Sequence, residues 1–67
     1  MAPLTSLEES WRMAIAKERE SRELYLEQGA LSEDPAVRNL FQFLAKEEER
    51  HEQMLQDEFD RAFTPDN

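Results

Sequence analysis

The residues with the clearest capacity for chemistry are a glutamate and the chain's single histidine, spaced as Glu48-x-x-His51. On a helix, residues three apart project from the same face, so this carboxylate and imidazole would stand together. Both also fall within an apolar pattern of alternating four- and three-residue steps, which is typical of a packed helix face. A buried, unpaired carboxylate is costly unless something neutralises it. A metal ion is the best candidate for that role.

Two helices must position these residues. Ser6-Leu7-Glu8-Glu9 has the spacing of a capping box, which predicts a first helix over about residues 6–31. Asp34-Pro35 combines a favourable N-cap with a favourable first helical residue, which predicts a second helix over about residues 35–62. The short connection folds them back on each other. We therefore predict an all-α fold, a single half-bundle domain over residues 1–67 that forms an antiparallel two-helix hairpin.

The hairpin brings a third polar residue to the same level. With the turn near Glu33, Glu18 lies 15 residues before it and Glu48 lies 15 after it. At about 1.5 Å per residue, both lie roughly 22 Å from the turn. The alternating pattern on both helices, called the seam here, consists of Leu7, Trp11, Ala14, Glu18, Ser21, Tyr25 and Gln28, then Val37, Phe41, Leu44, Glu48, His51, Leu55, Glu58 and Ala62.

We therefore expect Glu18, Glu48 and His51 to form a metal site. The alternatives are an ordinary surface glutamate and histidine, with Glu18 paired to Arg22 one helical turn away. Tyr25 lies on the Glu18 face and should pack on Phe41, and a redox or hydrogen-bonding role for it stays open.

One hairpin supplies too few ligands to complete such a site, whereas two copies supply four carboxylates and two imidazoles. Two divalent cations would balance these charges, and a symmetric dimer would build the four-helix bundle around them. Mixed carboxylate and imidazole ligation favours iron or manganese, and zinc can substitute. Apolar residues off the seam suggest assembly beyond the dimer. They are Leu24, Leu26, Leu31, Leu40, Phe43, Phe59 and Phe63.

Composition excludes several other functions. A net charge of −8 argues against nucleic-acid or anionic membrane partners. Cysteine is absent, which excludes thiolate chemistry within these residues. No apolar run is long enough for a membrane span, so we expect a soluble, cytoplasmic protein. The acidic runs could guide Fe²⁺ toward the site, or could simply be solvated charge paired with neighbouring basic residues.

The full pattern reads Ala14-Ile15-x-x-Glu18-x(6)-Tyr25, then Asp34-Pro35-x-x-Arg38-x-x-Phe41-x-x-Leu44-Ala45-x-x-Glu48-x-x-His51-x-x-x-Leu55. Over nearly the whole chain it resembles rubrerythrin-type ferritin-like sequences, in which four helices carry the pattern twice. A half-length chain of this kind resembles the encapsulated ferritins. Their two-helix protomers dimerise, often into annular decamers, and build a ferroxidase centre at the interface.

The resemblance implies Fe²⁺ oxidation by O₂ or peroxide inside an encapsulin nanocompartment that stores the mineral. It implies Glu18, Glu48 and His51 as iron ligands, with Tyr25 close by. Two features depart from that family. Lys17 stands where an acidic residue usually precedes the first ligand, and the usual further helix and docking peptide are missing. We therefore expect either a truncated chain or a relative that works without a shell.

Two other functions remain open. A rubrerythrin-like peroxide scavenger would need an external electron donor, because the cysteines of a rubredoxin domain are absent. A metal-free helical interaction module would be indifferent to iron and would be stabilised by Glu48→Leu, because an unneutralised buried carboxylate only destabilises it.

Overall fold

The chain forms two antiparallel helices, α1 (Leu7–Leu31) and α2 (Pro35–Phe63). The computed structural model describes residues 6–63 of the protein, and no strand occurs within that range. The two helices pack against each other along their lengths, which confirms the predicted all-α hairpin. None of the described helices is long and apolar enough to cross a membrane.

Local capping determines where α1 begins. The Ser6 hydroxyl accepts a hydrogen bond from the Glu9 backbone N–H at 3.0 Å, and the Ser6 carbonyl accepts one from the Ser10 N–H at 3.1 Å. The first bond satisfies an N–H group that has no partner within the helix, and the second is the first regular backbone bond of α1. Glu8 and Glu9 add negative charge to the first turn, which complements the helix dipole.

The connection between the helices is held by side-chain bonds to the backbone. The Asp34 carboxylate accepts from the Ala36 N–H at 2.9 Å, and the Asp34 N–H donates to the Ser32 hydroxyl at 3.2 Å. Pro35 follows as the first residue of α2, where its missing N–H costs nothing. This compact turn aligns the two helices and therefore sets which residues face each other.

The interior of the hairpin lies beside the predicted seam rather than on it. The buried apolar side chains are Ile15, Ala45 and Phe59, which are 7%, 3% and 7% exposed. Each follows a seam residue by one position. Phe59 is one of the off-seam apolar residues, and its ring lies 5.0 Å from that of Phe63 between centroids. Two helices can bury only the stripe along which they meet, so most of the seam is left half-buried.

A glycine near the turn brings the helices close together. A side-chain β-carbon at Gly29 would stand 3.3 Å from the Phe41 Cβ, which is closer than ordinary packing. One turn earlier on α1, Tyr25 stacks on Phe41 with ring centroids 6.0 Å apart, as predicted. The seam therefore has an aromatic pair on the turn side of the Glu18 level.

Much apolar surface stays exposed on the single chain, including most of the off-seam apolar residues, several of which were expected to be exposed. The large exposed apolar side chains are Leu7, Met13, Leu24, Leu26, Leu31, Leu40, Phe43 and Met54. Exposed apolar surface on this scale is typical of a chain that associates with others.

Candidate metal centre

The structure brings Glu18 of α1 together with Glu48 and His51 of α2. Each residue offers one ligand atom, and these three atoms all lie within 4.8 Å of one another. The His51 Nδ1 lies 3.4 Å from the Glu18 Oε2 and 3.9 Å from the Glu48 Oε1. The two α2 residues share a face because they are three positions apart, and the turn places Glu18 at their level.

The three side chains are unequally buried. The Glu48 side chain is 19% exposed, that of Glu18 is 28% exposed and that of His51 is 50% exposed. The sequence pattern places all three in a packed face, yet His51 is largely open in the single chain. The site therefore lies in the half-covered seam, accessible from one side.

One carboxylate oxygen of Glu18 has no ordinary partner. Its Oε2 is buried and accepts no hydrogen bond, although the His51 ring nitrogen approaches it. A buried anionic oxygen without a donor is destabilising unless a cation or proton satisfies it. Carboxylate oxygen and imidazole nitrogen are also the donor types that suit iron, manganese and zinc. The residues present therefore fit a divalent metal ion.

The charge environment of Glu48 and Glu18 also favours a bound cation. The pKa of Glu48 is raised, first because its protonated carboxyl can share a hydrogen bond with Glu18. Burial and the negative charge of Glu18 raise it further, while His51 acts in the opposite direction. The ionised carboxylates of Glu18 and Glu48 repel each other, and a bound cation would offset that repulsion.

The arginine expected as an alternative partner of Glu18 is engaged elsewhere. The Arg22 Nη1 donates to the Glu52 Oε1, and the Arg19 Nε donates to the Glu52 Oε2 at 2.8 Å. The alternative pairing of Glu18 with Arg22 is therefore not formed. The sequence analysis gave Glu52 no individual role, because its two arginine contacts cross between the helices and leave no pattern in the sequence.

Apolar residues border the site along the seam toward the chain ends. Leu7, Trp11, Ala14 and Leu55, with Ser10, line a shallow depression of about 260 Å³. Trp11 and Leu55 thus share one surface on the other side of the metal candidates from the Tyr25–Phe41 pair.

Comparison with known proteins adds one family assignment. No significant match was found among curated proteins or among solved structures. The family model described as Rubrerythrin matches residues 4–66, a range that includes Glu18, Glu48 and His51. This ferritin-like family typically carries a redox-active di-iron centre. With nearly the whole sequence matched, the chain belongs to the Rubrerythrin family.

Proposed function

We propose that this protein is a ferroxidase of the encapsulated-ferritin type, which oxidises Fe²⁺ at a di-iron centre formed where two copies meet. The observation that carries the proposal is the Glu18–Glu48–His51 cluster, with its unpartnered carboxylate oxygen on a half-covered face. Family membership supports the choice of iron.

The number of ligands supports a dimer. One chain offers three ligand groups with two negative charges, which cannot hold two metal ions. Two chains offer four carboxylates and two neutral imidazoles, which match two divalent cations in charge. A two-fold axis would bring identical ligand sets together, so that dimerisation and metal binding reinforce each other.

The apolar surroundings support the same arrangement. Trp11, Ala14, Leu44 and Leu55 are only half-buried by the hairpin itself. A second copy placed seam to seam would cover them and would exclude water from the metal ligands. The exposed apolar side chains outside the seam support a larger assembly, such as a decamer.

The chain's own residues have defined tasks in this proposal. The carboxylates of Glu18 and Glu48 bind and neutralise cations, and Glu48 gives up a proton more readily when a cation is present. His51 must be neutral to act as a ligand. Iron supplies the redox chemistry, in which each Fe²⁺ loses one electron to O₂ or peroxide. The packed helices of residues 6–63 leave no interior for a mineral, so storage or detoxification would depend on an encapsulin-like shell.

The family match favours a second candidate, in which peroxide is the physiological substrate. The same cluster would then react repeatedly with peroxide, with electrons from an external donor. Sustained peroxide consumption that requires added reductant would favour this function. Stoichiometric oxidation of added Fe²⁺, followed by release of Fe³⁺, would favour the ferroxidase.

The first test is an anaerobic Fe²⁺ titration read by native mass spectrometry, followed by air exposure with absorbance detection. We expect two irons per dimer and oxidation faster than in a protein-free control. Glu48→Gln and His51→Gln should lose iron and activity. Glu49→Gln is the matched control, because it removes the same charge from an exposed neighbour.

The same titration and variants can also refute the ferroxidase proposal. A well-folded oligomer that takes up no metal, with the Glu48 and Glu49 variants behaving alike, would refute the ferroxidase. It would leave the metal-free interaction module as the better description.

A further inference from the structure

Glu52 lies between the two helices and binds two arginines at once. Its carboxylate accepts from Arg19 at 2.8 Å and from Arg22 through the other oxygen. The Glu52 side chain is only 12% exposed, the least of any acidic partner in the described ion pairs. Both charged hydrogen bonds connect α1 to α2, and Glu52 directly follows His51 on α2.

Arg22 would otherwise face Glu18. The two residues are four positions apart on α1 with the glutamate first, which is the favoured order for a helical ion pair. The Glu18 Oε2 is buried without a hydrogen-bond partner, so a nearby guanidinium would find a strong acceptor there. Arg19 has no such option, because adjacent residues on a helix do not face each other.

We propose that Glu52 is a positioning residue that holds the Arg22 guanidinium away from Glu18 and so keeps the Glu18 carboxylate free for a cation. This inference rests on the proposed metal-binding function. It differs from a purely structural role, in which Glu52 merely ties the helices together. If Glu52 only held the helices together, every variant that removed its ion pairs would weaken metal binding. In our proposal, removing Arg22 together with Glu52 restores metal binding.

The experiment compares Glu52→Ala, Arg22→Gln and the double variant by anaerobic Co²⁺ titration, which reports ligation through visible absorbance. Glu52→Ala should weaken Co²⁺ binding about tenfold, the scale of one charged hydrogen bond. Arg22→Gln should bind like wild type, and the double variant should recover to within about twofold of wild type. Glu8→Ala is the matched control, because it also removes an arginine-bound carboxylate, at 3.3 Å from Arg12. A double variant as weak as Glu52→Ala would overturn the proposal.

A metal-free measurement separates this inference from the proposed function. Urea unfolding in chelator gives the coupling between Glu18 and Arg22 by a double-mutant cycle, once with Glu52 and once with Glu52→Ala. We expect no coupling with Glu52 present and a favourable coupling in its absence. Absence of coupling in both backgrounds would refute the proposed role of Glu52. Failure of the wild-type protein to bind Co²⁺ or Fe²⁺ would instead refute the metal-binding function.

Discussion

Replacing Glu48 by leucine should change stability in opposite directions with and without metal. In the metal-free protein the Glu48 and Glu18 ligand atoms lie within 4.8 Å of each other, and the Glu48 side chain is 19% exposed. Repulsion at that separation is about 1 kcal/mol in water and about 3 kcal/mol at an effective dielectric constant of 20. Glu48→Leu should therefore raise the free energy of unfolding by about 1–3 kcal/mol.

Saturating metal should reverse the order. A ligand that binds only the folded state at about 1,000 times its dissociation constant adds about 4.1 kcal/mol to the free energy of unfolding, which exceeds the gain expected from Glu48→Leu. Wild type should gain this stabilisation. Glu48→Leu should not, because it lacks one of the three ligand groups. The variant should thus be the more stable protein in chelator and the less stable one in metal.

The assay is urea unfolding followed by circular dichroism, at one fixed protein concentration because dimer stability depends on concentration. Each protein is measured in chelator and in excess Co²⁺. Glu49→Leu serves as the control, because it makes the same chemical change at an exposed position. The reasoning fails if Glu48→Leu destabilises the metal-free protein, or if it gains as much from Co²⁺ as wild type does.

Three further outcomes follow from particular contacts. Because the folded-state pKa of Glu48 is raised, its contribution to stability in chelator is full below the ordinary glutamate pKa and is lost as the pH rises through the raised value. Glu48→Gln should remove that part of the pH dependence in urea unfolding. Gly29→Val should destabilise the protein by about 1–3 kcal/mol, because its branched carbons would collide with Phe41. Gly29→Ala should be close to neutral, and near-ultraviolet circular dichroism of the stacked Tyr25 would report the difference. Asp34→Ala should cost about 1 kcal/mol in thermal unfolding, since it removes the bond from the Ala36 N–H; an unchanged melting temperature would argue against that cap.

Local sequence signals predict the two helices, their connection and the level of the candidate ligands. Capping residues such as Ser6 and Asp34 act through bonds to backbone only two or three positions away, so local spacing predicts them. The short turn then makes residues equally distant from it meet, which predicted both the Glu18–Glu48 level and the Tyr25–Phe41 pair. Fixed helical rise makes such heights predictable from counting alone.

The rotation of each helix about its own axis depends on how the two helices pack. That rotation put Ile15, Ala45 and Phe59 inside the hairpin and left His51 half-exposed. Both helices carry apolar residues on more than one face, so periodicity alone cannot select the stripe that is buried. The engagement of Arg22 by Glu52 likewise depends on long side chains that cross between helices, where sequence distance carries no information. In the same packing, the Glu18 Oε2 is buried without a hydrogen-bond partner at the candidate metal centre.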